Sequence, residues 1–485
     1  MAMYPTIIIP GIGQSRVKTV DAAGNVNGSI WPIDIDFKGI LDDVKKSLMK
    51  MMIFRKDNGF SDKCADIVRK TLAPAAVSKE GRPINQVQAS PFGALSAMTD
   101  GEKRFVYKMV PMEELGEVLG EDKLYYFAYN PFGNVFDTAE DLSALIEQAL
   151  ADTGAEKVNL IAVSLGGCVL RAYLMRHAAE KRVAKIVNVV AALDGTSIAG
   201  DVFEGKLYTD DPAELVRKLG IGGAKVEAAL PLVKTIPEPV LRAVIDKCFA
   251  ALLDALGAST MLWASVPCAR LDDALAKQAS RVGAIEADVR ALGAYTEGFA
   301  DTAKALANEG VEFYQLCGYN RQLLPAVHSY MTSSDCVIDT VSASMGATCA
   351  APDEKLDAQG ELVSPDGNCD ASTCAFPDRT WFFYDLRHDD IAWNDVALSL
   401  VRNIIVEGDI SFETFPRFNG TRNIRALKYD LIKKAKALIE TNEKPEKTEL
   451  LRECVAEYDE LLRQTRIEGQ EAVRALERKI REALE

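Results

Sequence analysis

The sequence predicts an α/β fold built on a mostly parallel β-sheet. Two observations support this: short aliphatic runs recur along the chain, and segments with apolar residues at helical spacing follow several of them. Aliphatic runs of this kind are typical of strands that helices cover on both faces. The predicted strands are residues 6–9, 124–129, 158–163, 186–192, 311–318 and 380–386. Because strands alternate with helices, parallel pairing is expected.

The helical segments predict how the chain is divided. One helix is predicted over residues 138–150, with Thr138 as its N-cap and Asp141 at the N3 position. Two inserts interrupt the alternation, at residues 37–122 and 198–310, and the second is helical in pattern and long enough to form a cap or lid. We therefore expect a core formed by residues 1–197, with the first insert inside it, and by residues 311–420, on either side of a cap at 198–310.

The C-terminal segment differs from the rest of the chain in composition. From about residue 420 it is rich in Lys, Glu, Arg, Leu and Ala, and Pro445 separates two amphipathic stretches. This pattern predicts that residues 421–485 form a helical hairpin, each helix with one apolar stripe to bury. A hairpin leaves one side of those stripes open, so we expect it to dock on the core or on the hairpin of a second copy.

The composition excludes several classes of protein. The 485 residues are 48% hydrophobic and 26% charged, which is typical of a globular chain, and no apolar stretch is long enough to cross a bilayer. The formal charge of −15 argues against nucleic acid as a partner and against electrostatic adhesion to anionic lipid. The N-terminus lacks the features of a secretory signal, and the ten cysteines lie mostly in apolar segments. A cytoplasmic location with reduced thiols is therefore expected, Cys369 and Cys374 being the pair most able to contradict it.

Ser164 lies between a predicted strand and a predicted helix, in the segment LIAVSLGGCVL. Residues 162–166, Ala-Val-Ser-Leu-Gly, follow the G-x-S-x-G pattern of a nucleophile elbow, with Ala162 in place of the first glycine. In that turn the serine Oγ is raised above the sheet, and the N-terminus of the next helix offers N–H groups to an oxyanion. The pattern therefore predicts a nucleophile, although a serine that only caps the helix would fit the same residues.

A serine nucleophile needs a base, and histidine is the usual one because its pKa is near neutrality. The chain has three histidines. His388 follows the last predicted strand, where the order nucleophile, acid, base requires it, and it is the favoured candidate. His328 precedes that strand and is a weaker candidate, whereas His177, among basic residues of a helix, is typical of an exposed surface position.

The acid is expected in the loop SSDCVIDTVSA, which follows the predicted strand at 311–318. A carboxylate at this point would fix the tautomer of the histidine and stabilise its charged form. Asp335 is the favoured candidate, with Asp339 four residues later and Asp194 at the end of an earlier strand as alternatives. These aspartates would also fit as simple caps of turns or helices.

The opening segment IIIPGIGQS predicts the rest of the oxyanion hole. Small residues after the first strand allow the chain to approach the nucleophile closely, so the backbone N–H groups of Ile12 and Leu165 are the expected donors. A glycine-rich loop after a strand can also hold a dinucleotide, but the G-x-G-x-x-G spacing is absent. No cofactor is expected.

Several segments together resemble the lecithin:cholesterol acyltransferase-like lipases of the α/β-hydrolase superfamily. They are PTIIIPGIGQS, YYFAYNPFGN, KVNLIAVSLGGCVLRAYL, SSDCVIDTVSA and LRHDDIAWND, in that order. The resemblance covers about residues 4–200 and 311–408 and implies a triad of Ser164, Asp335 and His388. Two positions depart from the family pattern: Val163 stands where His or Tyr is common, and YNPF stands where Tyr-Asp-Trp-Arg is common.

The resemblance implies acyl transfer through a covalent acyl-enzyme, with a lipid or other acyl ester as substrate and no metal. The loop DAQGELVSPDGNCD is rich in oxygen ligands but lacks EF-hand spacing, so a solvated loop is favoured over a calcium site. Transient contact with a membrane surface and a homo-oligomer formed through the C-terminal helices are compatible with these features. A thioesterase or small-ester hydrolase is the alternative enzyme, and a hydrolase-like scaffold with a partner-binding tail is the alternative without catalysis.

Overall fold

The computed structural model describes residues 3–33, 37–206, 235–419, 429–442, 445–463 and 470–484. Residues 207–234 of the predicted cap, and 420–428, 443–444 and 464–469 at or in the predicted tail, lie outside the described residues. The strands are β1 (Thr6–Ile9), β2 (Arg16–Val20), β3 (Val26–Trp31), β4 (Val87–Ser90), β5 (Phe92–Ala94), β6 (Leu124–Phe127), β7 (Val158–Val163), β8 (Val183–Val189), β9 (Glu312–Tyr319), β10 (Arg321–Gln322), β11 (Ser333–Ser334), β12 (Thr348–Cys349), β13 (Cys369–Asp370), β14 (Thr380–Tyr384) and β15 (Phe418–Asn419).

The helices in the described part of the chain are numbered in the same way. They are α1 (Phe37–Phe54), α2 (Phe60–Leu72), α3 (Asp100–Met109), α4 (Glu113–Leu119), α5 (Val135–Thr153), α6 (Gly166–His177), α7 (Ser197–Glu204), α8 (Glu238–Leu256), α9 (Thr260–Trp263), α10 (Leu271–Lys277), α11 (Ala279–Val282), α12 (Glu286–Glu297), α13 (Phe299–Asn308), α14 (Thr340–Ala343), α15 (His388–Ala392), α16 (Asp395–Ile405), α17 (Tyr429–Thr441), α18 (Pro445–Arg463) and α19 (Gln470–Leu484).

The central sheet has eight strands in the order β15-β14-β9-β8-β7-β1-β6-β5. Every neighbouring pair is parallel except β5 and β6 at one edge, which are antiparallel. The predicted mostly parallel α/β fold is therefore confirmed. The strand predicted at 186–192 instead ends at Val189, because Val190 adopts a left-handed φ of 45° that extended backbone does not allow.

Helices cover both faces of the sheet, and the alternation of side chains along each strand fills the two layers. On β1, Ile7 and Ile9 face the layer that holds α5 and α6, whereas Ile8 faces the layer that holds α3, α4 and α16. On β7, Ala162 and Val163 divide in the same way. Ser164, the next residue, therefore directly follows a strand that is buried on both faces.

The helix predicted at 138–150 is α5, and its start is three residues earlier than expected. Its N-cap is Asn134, whose side-chain oxygen accepts from the N–H groups of Phe136 and Asp137 at 2.9 and 3.2 Å. Thr138 lies in the first turn and donates its hydroxyl to the carbonyl of Asn134. Asn is a strong N-cap, and the first turn also buries apolar residues, so the helix extends past the predicted cap.

Helices from the two predicted inserts pack on each other. Helix α2 of the first insert lies along α8 of the second, and Met51, Phe60 and Val240 form a small buried cluster between the inserts. The domain division remains a prediction, but these contacts join segments that are far apart in the chain. In the described part of the chain, no helix combines the length and the apolarity needed to span a bilayer.

The tail differs from the predicted hairpin because its described residues form three helices, α17, α18 and α19. All three contribute to one buried cluster, in which Ile432, Leu451 and Ile480 represent one helix each. Two amphipathic helices leave one side of their stripes exposed, and here the third helix covers that side. The expected pairing with a second copy is therefore not needed to bury the stripes of these helices.

Candidate active site

Ser164 lies at the sharp turn between β7 and α6. Its φ is 54°, in the left-handed region, which costs free energy for a residue with a Cβ. The turn is held in place from both sides, since the Ser164 N–H donates to the carbonyl of Val189 at 3.1 Å and its carbonyl accepts from Ala192 at 2.9 Å. A strained residue fixed in this way presents its side chain in one direction, which suits a nucleophile.

Two glycines allow other backbone segments to approach the turn. A Cβ on Gly166 would lie 2.3 Å from the carbonyl oxygen of Ile9, and one on Gly11 would lie 2.7 Å from the Cβ of Ser164. Both separations are shorter than van der Waals contact allows. The first separation explains why residue 166, two positions after the serine, is a glycine. The second shows that the loop after β1 lies directly against the Ser164 side chain.

His388 lies next to Ser164 although the two are 224 residues apart in the chain. It follows β14, which is separated from β7, the strand before Ser164, by β9 and β8, and it is the first residue of α15. Its Nε2 lies 2.9 Å from the Oγ of Ser164, and its backbone N–H donates to the carbonyl of Asp335 at 2.8 Å. The serine and the histidine are therefore within hydrogen-bond distance, as nucleophile and base must be.

Asp335 lies on the other side of the histidine. Its Oδ2 is 2.8 Å from Nδ1 of His388, and its Oδ1 accepts from the N–H groups of Val337 and Ile338 at 2.9 and 2.8 Å. The side chain is buried. Because Oδ1 is held by the backbone, Oδ2 has a fixed direction, and a carboxylate at this point favours the tautomer with the proton on Nδ1 and a free Nε2 lone pair toward Ser164.

The charge of Asp335 also determines the protonation of His388. Burial disfavours the charged imidazolium, but the charge and hydrogen bond of Asp335 outweigh burial and raise the pKa of His388 above its ordinary value. The nearby Asp389 carboxylate acts in the same direction. A histidine whose charged form is stabilised in this way is a stronger base toward a serine hydroxyl.

The other two acid candidates are placed elsewhere. Asp339 accepts from the N–H of Ser197 at 2.7 Å through Oδ2, and Asp194 accepts from the N–H of Cys268 at 2.9 Å. Burial raises the pKa of both carboxyls. Each of these two carboxylates therefore holds a backbone segment. Within the described residues, no hydrogen bond joins either of them to His388.

The other two histidines are also apart from Ser164. His177 ends α6, where its Nδ1 is 3.0 Å from Glu180, and its ring stacks on Tyr173 with centroids 5.4 Å apart. It is more buried than the sequence suggested, because those contacts cover the ring. His328 is exposed, and its backbone N–H donates to the carbonyl of Lys206.

The loop after β1 and the start of α6 place backbone N–H groups near Ser164. Ile12 follows Gly11, which contacts Ser164, and Leu165 is the N-cap residue of α6. Within the described residues, the N–H groups of Ile12 and Leu165 have no hydrogen-bond acceptor. Unpaired N–H groups at a helix N-terminus are suited to an oxyanion, as the sequence predicts for these two.

Two residues with a structural part in this site were not singled out from the sequence. Gln14 accepts from the N–H of Gly11 at 2.6 Å and donates to the carbonyl of Met109 at 2.8 Å, which fixes the loop after β1. Arg321 donates to the sulfur of Cys336 and to the carbonyl of Asp385, both at 2.8 Å, and so joins the loops that carry Asp335 and His388. The only local signal is that Gln14 lies within the PGIGQS segment.

In the oxygen-rich loop at 357–370, the carboxylate of Asp366 accepts hydrogen bonds from the protein itself. Asp366 accepts from the side chain of Asn320 at 2.6 Å and from the N–H of Asn368 at 3.3 Å. In the part of the chain that the structure describes, no three His, Cys, Asp or Glu side chains are placed to hold a metal ion. The contacts of Asp366 stabilise the loop.

Comparison with known proteins supports the superfamily. Residues 88–219 match the family model described as alpha/beta hydrolase fold, a range that includes Ser164 but ends before Asp335 and His388. No curated protein matches the chain. Among solved structures, the Tle4-Tli4 complex is similar at 16% identity, over 41% of this chain and 48% of that chain, with a TM-score of 0.20. The chain spans about half the length of the solved chain that it matches. The family-model match over residues 88–219 and the mostly parallel eight-stranded sheet together show an α/β-hydrolase fold.

Proposed function

We propose that this protein is a serine hydrolase of carboxylic esters, with lipid acyl esters as the substrate class. The observation that carries the proposal is the hydrogen-bonded series from Ser164 through His388 to Asp335, with distances of 2.9 and 2.8 Å. Nucleophile, acid and base follow one another along the chain in the order that is typical of α/β-hydrolases. The unpaired N–H groups of Ile12 and Leu165 supply the remaining requirement of acyl transfer.

In the proposed reaction, the Oγ of Ser164 attacks the ester carbonyl carbon while its proton passes to Nε2 of His388. The carbonyl oxygen becomes an oxyanion, which accepts hydrogen bonds from Ile12 and Leu165. The imidazolium, stabilised by Asp335, then protonates the departing alcohol, and an acyl-serine remains. A water molecule or another hydroxyl, deprotonated by His388, attacks that ester and restores Ser164.

Two observations favour an apolar acyl group. The segments quoted above resemble a lipase family, and large apolar side chains are exposed next to the residues of the site. Ile12, in the loop against Ser164, is 45% exposed, and Trp393, which follows the helix that begins at His388, is 42% exposed. Such side chains at the edge of a polar site provide a surface for an acyl chain.

The proposal is tested with two assays on the full-length protein. A fluorophosphonate probe labels an activated serine whatever the natural substrate is, and nitrophenyl esters from acetate to palmitate measure the preferred chain length. We expect labelling at Ser164 and faster hydrolysis of the longer esters. Labelling with hydrolysis of acetate alone would contradict the lipid substrate class, and absence of labelling would contradict the hydrolase itself.

The acid is tested by comparing two aspartates of one loop. Asp335→Asn removes the charge that stabilises the imidazolium and lets the histidine adopt the wrong tautomer, so kcat is expected to fall about 10⁴-fold. Asp339→Asn, an identical change four residues away, retains an oxygen for Ser197 and is expected to lower kcat less than about tenfold. The measurement is steady-state hydrolysis of one nitrophenyl ester, and the reverse order of the two variants would assign the acid to Asp339.

Gln14 is proposed as a positioning residue, because its side chain holds the loop after β1 that carries Gly11 and Ile12. Gln14→Leu removes the acceptor of the Gly11 N–H, and kcat is expected to fall about ten- to a hundredfold with little change in KM, since the oxyanion contact matters most in the transition state. Gln14→Glu retains the acceptor for the Gly11 N–H but loses the donor to the Met109 carbonyl, so it is expected to recover part of kcat. Equal loss in both variants, or a change confined to KM, would contradict this role.

A further inference from the structure

Four cysteines lie close together beneath the loop that carries Asp335. Cys317 is on β9, and Cys349, Cys369 and Cys374 belong to the segment between α14 and β14. Burial raises the pKa of the Cys317 thiol, and the proximity of Cys374 and Cys349 adds to the effect. All four are free thiols in the structure. The described residues contain no metal-binding arrangement of such groups, so the cluster has another role or none.

The four thiols differ in their surroundings. Cys317 donates to the carbonyl of Trp381 with a sulfur–oxygen distance of 3.5 Å, and burial raises the pKa of the Cys374 thiol. The neighbouring Cys349 thiol, together with burial, raises the pKa of Cys369. The sequence singles out Cys369 and Cys374 as a possible pair, but the structure places Cys369 against Cys349 instead.

The strand register explains why these two sulfurs meet. Strands β12 and β13 are antiparallel, and Cys349 is directly opposite Cys369. The next pair in the ladder, Ala350 and Asn368, is joined by a backbone hydrogen bond of 2.8 Å from N–H to carbonyl. Because bonded and non-bonded pairs alternate, the cysteines occupy a non-hydrogen-bonded position, where Cα atoms are about 4.5 Å apart. That separation is within the range that a disulfide spans, roughly 4.4 to 6.8 Å.

The backbone on both sides of the pair is already fixed. The buried side chain of Asn368 donates to the carbonyls of Ala351 and Glu354 at 2.8 and 3.0 Å. The N–H of Cys369 donates to the Ser364 hydroxyl at 2.9 Å, and the carbonyl of Cys369 accepts from the Ser364 N–H at 2.7 Å. A bridge between the two sulfurs therefore needs no rearrangement of the ladder.

We propose that Cys349 and Cys369 form a redox pair that a low-molecular-weight disulfide converts to an intramolecular disulfide. Cys349 is partly exposed and Cys369 is fully buried, so Cys349 reacts first. Its thiolate attacks one sulfur of oxidised glutathione, and one glutathione leaves as a thiolate. The thiolate of Cys369 then attacks the Cys349 sulfur and releases the second glutathione. The two protons lost by the cysteines end on the two glutathione thiols, so the protein is oxidised by two electrons and the glutathione disulfide is reduced.

The bridge would lock a segment connected to the site without touching the proposed triad. The hydroxyl of Ser333, two residues before Asp335, donates to the side-chain oxygen of Asn368 at 3.2 Å. The loop between Cys349 and Cys369 would be closed by a covalent bond, which restricts the unfolded chain more than the folded one. We therefore expect the oxidised protein to melt at a higher temperature and to keep its ester hydrolysis unchanged.

The experiment uses the full-length folded protein, incubated with oxidised glutathione and then analysed by mass spectrometry. We expect the intact mass to fall by two hydrogen atoms, a tryptic map to link Cys349 with Cys369, and two of the ten thiols to become unreactive after denaturation. Dithiothreitol should reverse the rise in melting temperature. Cys349→Ser, at the partly exposed position, should abolish all three changes, whereas the matched variant Cys374→Ser should retain them.

Three outcomes would overturn the proposal. A bridge between Cys369 and Cys374 would show that sequence proximity decides the pairing. A stable glutathione adduct on Cys349 would show that Cys369 cannot reach it. Retention of all ten thiols under oxidising conditions that form bridges in a control protein would show that the pair is inert.

Discussion

Ser164→Ala is expected to lower kcat for ester hydrolysis about 10⁶-fold, to the residual rate that substrate binding and the oxyanion hole support in such variants. The Oγ is the only non-hydrogen atom removed, and with it the hydrogen bond to His388 is lost. The turn itself is held by the backbone of Ser164, which alanine retains, and the φ of 54° strains both residues alike. The melting temperature is therefore expected to change little, so that lost activity is separated from lost structure.

Ser143→Ala is the matched control for that variant. Ser143 lies on α5 and has the same exposed fraction as Ser164, 7%. Removal of its hydroxyl is expected to leave kcat and fluorophosphonate labelling unchanged. If Ser164→Ala retains a tenth of the wild-type kcat, or if the probe still labels the variant, Ser164 is not the nucleophile.

The sheet and the nucleophile turn were predictable from local sequence. The strand β7 is mostly aliphatic because helices cover both of its faces. Gly166 and Gly11 are small because the carbonyl of Ile9 approaches the first and the side chain of Ser164 approaches the second. These constraints act within a few residues, so they leave a visible pattern. The chain order nucleophile, acid, base then favours a base after the last strand predicted from the sequence, and His388 lies there.

The choice between Asp335 and Asp339 is not decided by local sequence. Both aspartates follow the same strand, and the difference arises because the turn at 335–338 directs the backbone N–H groups of Val337 and Ile338 at one carboxylate. Arg321 and Gln14 act through partners that are 64 and 95 residues away in the chain. Contacts between residues so far apart form only in the complete fold, and no regular spacing of residues in the sequence predicts them.

The sequence does not predict the third tail helix, for a related reason. Its pattern gives only two amphipathic stretches, separated at Pro445. The structure begins a separate helix at Gln470, whose residues Leu476 and Ile480 are buried. The need to cover the open side of two helices is a tertiary constraint, so periodicity within one segment does not reveal it.

His388→Ala is expected to be as damaging as Ser164→Ala, because the serine hydroxyl then has no base at 2.9 Å to take its proton. His177→Ala and His328→Ala are the matched controls, and each is expected to keep kcat within about threefold of the wild type, since among the described residues neither ring is hydrogen-bonded to Ser164 or Asp335. The measurement is hydrolysis of one nitrophenyl ester by the three variants. A large loss in the His328 variant alone would move the base to that residue.

The pH profile tests the same histidine without removing it. Only neutral His388 accepts a proton, so kcat/KM is expected to fall as the pH decreases through the pKa of this residue. That pKa is raised above the ordinary 6.5, because the Asp335 carboxylate outweighs the lowering effect of burial. The acid limb of the profile should therefore lie above pH 6.5. In Asp335→Asn the charge is lost while burial remains, and the limb should move to lower pH. A limb that stays in place in that variant would show that Asp335 does not determine the protonation of the base.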